Sequence, residues 1–299
     1  MASERWTVLN AAALRRWPLP TVPDDADKEA RGRVLVIAGS REIPGAALLA
    51  AVAAMRAGAG KLVLATGASV APRLAMAVPE ARVLALPETP AGGFAMDGVS
   101  KLETVAHAAA AVLVGPGLMD EASTVAFVRQ LLPLVVHAPL VLDALAMNVL
   151  KESGPLAQPV LITPHAGEMA HLTGAGKDQV EDRPAEVCVE AARRWQVTVA
   201  LKGASTHIAG PQDGRWRHDG GQAGLATSGS GDVLAGIIVG LAAQRVPLAQ
   251  ACAWGVVLHA LAGRQLAGHT GPLGFLAREL PGQVPALLRQ LRPRARVRR

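Results

Sequence analysis

The sequence predicts an α/β fold, a three-layer sandwich with a mainly parallel central sheet and helices on both faces. Three observations carry this. Short β-branched runs alternate along the chain with Ala-rich stretches of helical length. The runs are apolar at every position rather than at every second one, the pattern of strands buried on both faces. Alanine occurs 58 times in 299 residues against five Trp, three Phe and no Tyr, so helices with small side chains must pack closely on whatever they cover. Alternating strands and helices of this kind build a parallel sheet.

The elements follow in order. Residues 1–31 are polar and Pro-rich, with Trp17-Pro18-Leu19-Pro20 and Asp24-Asp25, and read as an N-terminal arm. Residues 32–288 read as a single domain. Val34-Leu35-Val36-Ile37 predicts a strand ending in Ala38-Gly39-Ser40, and Pro44 to Gly58 predicts a helix. Strands are then predicted at Leu62–Leu64, Arg82–Leu86, Ala111–Val114 (ending in Gly115-Pro116-Gly117), Leu140–Leu142 (ending in Asp143) and Val160–Ile162 (ending in Thr163-Pro164-His165). Val197–Leu201, ending in Lys202-Gly203, is the last clear strand. Ligands of such sheets bind beyond the carboxyl ends of the strands. Five strand ends bearing glycine or polar groups therefore predict one composite cleft.

Composition excludes several classes. With 51% hydrophobic and 18% charged residues and a mean hydropathy of +0.28, the chain is not intrinsically disordered. The six arginines of the 289–299 tail equal the whole net charge of +6, so the body is neutral. A basic end of this kind is a solvated tail, and without aromatic platforms it predicts no nucleic-acid partner. Deleting it is expected to leave turnover intact. Cys188 and Cys252 have no metal or redox spacing and read as buried small hydrophobes. The apolar run Val246–Gly263 is broken by Pro247, Gln250 and His259, which predicts a buried helix rather than a membrane span. The N-terminus has no signal-peptide pattern, and a cytoplasmic protein is expected.

The strongest chemical signal is Gly224-Leu225-Ala226-Thr227-Ser228-Gly229-Ser230-Gly231-Asp232 leading into an apolar helix. Free N–H groups and the helix dipole make such a terminus attract anions. The simpler reading is a capped helix with Ser230 as cap and Asp232 favoured by the dipole. Lys202-Gly203-Ala204-Ser205-Thr206, at a strand end about 30 residues upstream, shifts the balance toward a nucleotide site, with Lys202 as a point charge for phosphate. An aspartate beside a transferred phosphoryl group can serve as base toward a substrate hydroxyl.

Val34–Gly60, Gly115–Leu118 (GPGL), Thr163–Glu168 (TPHAGE), Lys202–Thr206 (KGAST) and Gly224–Gly236 match, in order, the ADP-dependent NAD(P)H-hydrate dehydratases, which this chain resembles from about Arg33 to about Gly268. The resemblance implies a ribokinase-like sandwich. It also implies ADP-dependent dehydration of the (S)-epimer of hydrated NADH or NADPH, releasing AMP and phosphate. It makes Asp232 the catalytic base and Gly229, Ser230 and Gly231 an anion hole. Lys202, Gly203, Ala204, Ser205, Thr206 and Gly231 would hold ADP or ATP. Ala46, Gly117, His165 and Asp232 would line the hydrated dinucleotide. Glu168 would order water on Mg2+, its alternative being a first-turn helix carboxylate. A homo-oligomer is expected. Too few residues precede Val34 for the epimerase domain fused to some members, so no epimerase activity is expected.

The chain departs from the family pattern at four places. Ile43 stands for a tyrosine, Met119 for a glycine, Leu145 for an aspartate, and Gln222 for an asparagine. Two other functions remain open: a small-molecule kinase acting on a sugar, hydroxymethylpyrimidine or thiazole alcohol, and a nucleotide-binding module without turnover.

Overall fold

The computed structural model describes residues 5–21, 23, 27–212 and 214–292. In chain order the elements begin with β1 (Thr7–Val8), α1 (Ala11–Arg16), β2 (Arg33–Ile37), α2 (Pro44–Arg56), β3 (Lys61–Gly67), α3 (Ala71–Ala77) and β4 (Ala81–Leu86). They continue with α4 (Glu103–His107), β5 (Ala111–Val114), α5 (Glu121–Leu131), β6 (Leu140–Leu142), β7 (Val160–Ile162), α6 (Ala166–Thr173), α7 (Lys177–Asp182) and α8 (Pro184–Trp195). The last third holds β8 (Thr198–Leu201), β9 (Thr206–Ala209), β10 (Arg215–His218), α9 (Ser230–Ala242), α10 (Leu248–Thr270) and α11 (Leu280–Leu291).

Among the described residues ten strands form one sheet, in the order β1-β10-β9-β8-β7-β6-β5-β2-β3-β4. Strands β2 to β8 run parallel, and β9 and β10 pair antiparallel. The burial explains the uninterrupted apolar runs. Val34 and Val36 belong to one core, with α2, α9, α10 and α11, whereas Leu35 and Ile37 belong to the other, with α5, α6 and α8. Cys188 and Cys252 are both buried, as their settings predicted.

The chain leaves β2 toward β3 and β4, then returns to the other side of β2 with β5. That reversal opens a crevice at the carboxyl ends of β2 and β5. Gly39 N–H donates to Pro116 O at 2.8 Å across it. Gly115 has φ +133, and a Cβ there would lie 1.8 Å from Asp143 O, so glycine is required where β5 passes the end of β6.

Alanine and glycine join α2 to α9. A Cβ on Gly236 would stand 2.3 Å from Ala50 O, and one on Gly240 would stand 2.4 Å from Ala54 O. Backbone meets backbone along this seam. Gly236→Ala is therefore expected to destabilise the fold by about 1–3 kcal/mol, the usual cost of overpacking, seen as a lower urea midpoint.

Three features go beyond the sequence expectation. First, β9 and β10 form a hairpin that the pattern did not reveal. Second, part of the 1–31 segment read as an arm is bonded into the domain. Leu9 N–H donates to Arg217 O, Trp17 stacks on Trp216 at 5.3 Å between centroids, and Trp254 Nε1 donates to Trp17 O at 2.8 Å. The short strand β1 covers the open edge of β10, which would otherwise present unpaired backbone groups. Third, α11 continues past the expected 288/289 boundary, and Leu291 is buried. Deleting 289–299 is therefore expected to cost about 2 kcal/mol or more through loss of Leu291, measurable by denaturant titration. The rest of the tail, 293–299, lies outside the described residues. Among the described residues no helix is long and apolar enough to cross a membrane.

Candidate active site

The carboxyl ends of β6, β7 and β8 and the amino end of α9 meet around one cavity of ≈ 730 Å³. Strand β6 delivers Asp143, 3% exposed, whose Oδ1 accepts from Thr163 Oγ1 at 2.6 Å. Strand β8 delivers Lys202, zipped to the end of β7 by its N–H to Pro164 O at 2.8 Å. Its ammonium lies 3.5 Å from Asp143 Oδ1 and 3.7 Å from Glu168 Oε2. Burial works against the charge of Lys202, but Asp143 and Glu168 more than offset it, and its pKa stands above the ordinary lysine value.

The glycine-rich loop places Gly229 in the left-handed region at φ +86, as N-cap of α9, where a Cβ would lie 2.4 Å from Leu49 Cδ1. The helical hydrogen-bond ladder begins with Val233 N–H to Gly229 O at 3.1 Å. The N–H groups of Gly231 and Asp232 precede that ladder, in the turn that ordinarily lacks helical partners. A Cβ on Gly231 would lie 3.3 Å from Lys202 Nζ, which places the ammonium over this turn. Ser230 is not the cap that the simpler reading required. It is the first helical residue, and its hydroxyl meets His259 Nε2 at 2.9 Å.

Asp232 stands in the first turn of α9 with its pKa raised to about 7. Burial is the main cause, and the neighbouring carboxylates Asp143 and Glu168 add to it while Lys202 opposes. A carboxyl group titrating near neutrality in a cleft, beside a fixed cation and a helix terminus, is suited to exchange protons during turnover.

His165 caps α6. Its Nδ1 accepts from Gly167 N–H at 3.0 Å and Glu168 N–H at 3.2 Å, and Glu168 Oε2 accepts from His165 N–H at 2.7 Å. The helix-carboxylate alternative for Glu168 is thus realised as a reciprocal cap. Both side chains also line the cavity, so the cap fixes them there.

Of the residues singled out from sequence, His165, Glu168, Lys202, Gly203, Ala204, Thr206, Ser230, Gly231 and Asp232 line this cavity. Ser205 turns away, its hydroxyl donating to Asp219 Oδ1 at 2.7 Å. Gly229 sits behind the turn against Leu49. Ala46 and Gly117 pack on each other at the β2/β5 crevice rather than on the cavity wall; a Cβ on Gly117, at φ +66, would lie 2.6 Å from Ala46 Cβ. Asp143 and His259 line the cavity without having been chosen as site residues. Asp143 was legible as a strand end; His259 was hidden in an apolar helix.

The four departures scatter. Gln222 lines the main cavity, and Leu145 lines an adjoining pocket of ≈ 300 Å³ with Met147, Asn148 and His171. Ile43 is exposed, and Met119 O accepts from Thr124 Oγ1 at 3.1 Å.

For a divalent cation the donor set is sparse. Asp143, Glu168 and Asp232 face the cavity, but Lys202 bridges the first two, and among the described residues no group of three His, Cys, Asp or Glu is placed to hold a metal. That fits Mg2+ only as an ion held by one or two carboxylates together with nucleotide phosphates.

With its mainly parallel sheet and strand ends converging on a Gly-Ser-Gly-Asp helix terminus, the chain has a ribokinase-like fold. It superposes on a ribokinase-like superfamily protein of Enterococcus faecalis with a TM-score of 0.83 at 27% identity, covering 98% of each chain. A family model described as NAD(P)H-hydrate dehydratase matches residues 34–285, and the chain belongs to that family. It is 47% identical over 291 residues to the ADP-dependent (S)-NAD(P)H-hydrate dehydratase of Xanthomonas campestris pv. campestris, covering 97% of this chain and 99% of that protein. It is 39% identical to the bifunctional NAD(P)H-hydrate repair enzyme of Moorella thermoacetica, of whose length it spans 54%. The crystal structure of the ADP/ATP-dependent NAD(P)H-hydrate dehydratase of Bacillus subtilis, co-crystallised with ATP and Mg2+, superposes with a TM-score of 0.81 at 31% identity, covering 96% of this chain and 99% of that one.

Proposed function

We propose that this chain dehydrates the (S)-epimer of hydrated NADH and NADPH at the expense of ADP, restoring the reduced dinucleotide and releasing AMP and phosphate. The observation that carries this reading is Asp232: a carboxyl group with pKa about 7, in the first turn of α9, in a cavity shared with Lys202.

Lys202 and the Gly203–Thr206 backbone, with Gly231, hold the nucleotide. The hydrated dinucleotide lies between His165 on the cavity wall and Ala46 and Gly117 in the adjoining crevice, and its ring hydroxyl gives its proton to Asp232 as its oxygen bonds the terminal phosphorus of ADP. The bond from that phosphorus to AMP breaks. The Gly229–Gly231 turn and Lys202 stabilise the charge that develops on phosphate. Phosphate then leaves the ring with its oxygen, and loss of a ring proton restores the dihydronicotinamide. Mg2+ accompanying the nucleotide would neutralise phosphate charge, with Glu168 ordering its water.

The test is to incubate the protein with ADP and hydrated NADH and to follow the absorbance of the reduced ring. Recovery of that band with stoichiometric AMP and phosphate is expected. A phosphorylated alcohol retained as product would instead select the kinase reading, and ADP binding without turnover would select the binding module.

The pH dependence has a definite sign. The base works deprotonated, so kcat/KM is expected to rise as pH increases through about 7, where Asp232 ionises. Stability runs the other way. Between about pH 4 and 7 folded Asp232 keeps a proton that the unfolded chain has lost, so its contribution falls as pH rises through that window. Thermal melts at pH 5 and pH 8, compared between wild type and Asp232→Asn, should show the variant gaining relative stability at the higher pH.

A further inference from the structure

His259 lies in α10, 9% exposed, far from the glycine-rich loop in sequence. In space its Nε2 is 2.9 Å from Ser230 Oγ, and both residues line the cavity. Ser230 is 4% exposed, and its own N–H is taken by Thr227 O at 3.2 Å, so the hydroxyl is the group it has left to offer.

The bond between the two side chains has two possible directions. If Ser230 donates, its oxygen turns only lone pairs toward the cavity, and these repel an anion. If His259 donates, the serine proton is free to point into the cavity. The surroundings decide between them. Lys202 Nζ stands over Gly231, and the N–H groups of Gly231 and Asp232 precede the helical ladder. These N–H groups and the Lys202 ammonium attract negative charge against the Asp232 carboxyl of the same turn, and a serine facing the cavity with lone pairs would weaken that attraction further. Burial keeps the imidazole neutral, with its pKa lowered to about 4, so the ring has a single proton to place.

We propose that His259 is a positioning residue: it donates through Nε2–H to Ser230 Oγ and so directs the Ser230 hydroxyl proton at the phosphate group held in the cavity. Identifying that phosphate as the terminal group of ADP rests on the function proposed above; the direction of the hydrogen bond does not. A hydroxyl that accepts one hydrogen bond is also the better donor of the next.

Two measurements test this. In protein labelled with 15N-histidine, the ring-nitrogen pattern of His259 reports which nitrogen carries the proton. Protonation at Nε2 is expected; protonation at Nδ1 overturns the proposal. In steady-state kinetics, Ser230→Ala and His259→Leu are each expected to lower kcat about tenfold, the scale of one phosphate hydrogen bond, with a smaller change in KM for ADP. The double variant should be no slower than the slower single variant, and His259→Gln, which retains an N–H donor, should recover most of the loss. Losses that multiply in the double variant overturn the proposal. Should His259→Leu fail to fold, the Gln variant, Ser230→Ala and the ring-nitrogen pattern still decide it. A wild type that does not dehydrate hydrated NADH with ADP would refute the proposed function and leave the ring-nitrogen result standing.

Discussion

Asp232→Asn is expected to lower turnover by about 10²–10⁴-fold, the usual contribution of a general base. The substitution keeps size and helix position, so the melting temperature should hold near pH 5, where wild-type Asp232 is protonated, and should exceed the wild type's at pH 8. ADP affinity should hold or improve, because a carboxylate that repels phosphate has gone. The structure sharpens this expectation. Asp143 and Glu168 both raise the pKa of Asp232, so three carboxylates share the cavity with one ammonium, and removing any of them eases the approach of an anion. Turnover, ADP affinity and melting temperature on one variant are sufficient; near-wild-type turnover would sink the proposed mechanism.

Lys202→Ala is expected to fail in a different way. The ammonium over Gly231 is the cation placed for phosphate, and losing a charge-assisted contact should weaken ADP binding by about ten- to a hundredfold. The same ammonium pairs with buried Asp143, so stability should fall as well, by up to about 3 kcal/mol. Thr163 Oγ1 still donates to Asp143, which limits the loss. Lys202 also opposes the upward shift of the Asp232 pKa, so the rise of kcat/KM with pH should move to higher pH in this variant. Calorimetric titration with ADP, a urea melt and a pH–rate profile read the three effects separately. Lys202→Arg should not restore binding, because a planar fork does not replace a compact point charge between two carboxylates.

Strands β2, β3 and β5 to β8 were legible because burial on both faces writes runs of apolar residues, whereas β4, at the sheet edge and largely unburied, showed through Val83–Leu86 alone. The hairpin was not legible. Arg215-Trp216-Arg217-His218 is a polar strand near the sheet edge, and Thr206 begins β9 while also ending the Lys-Gly-Ala-Ser-Thr motif, so the loop signal masked the strand. Strand β1 has two residues and no periodicity to detect. For the site, the order of the strand ends placed His165 and Lys202 in one cleft with Asp143, the glycine-rich loop brought Asp232 to it, and the resemblance added Glu168. Nothing local shows that His259 meets Ser230: a lone histidine in an apolar helix looks the same whether it packs against carbon or holds a hydroxyl. The helix terminus was legible, but its cap was misassigned, because both Gly229 and Ser230 suit that position by composition, and the left-handed backbone at φ +86 together with the approach of Leu49 selects glycine.

The backbone seam between α2 and α9 also bears on how this cleft can change over evolutionary time. Its contacts are Ala50 and Ala54 carbonyls against Gly236 and Gly240, which have no rotamers to exchange. The two helices therefore cannot spread to admit a bulkier ligand or close on a smaller one by repacking. They hold the crevice beside Ala46 and the turn at Gly229–Asp232 at a fixed spacing, like two ends of one gauge. New preferences can enter only through the segments around this gauge, such as Ile43, the residue before α2, and Gln222, which lines the cavity ahead of the turn into α9.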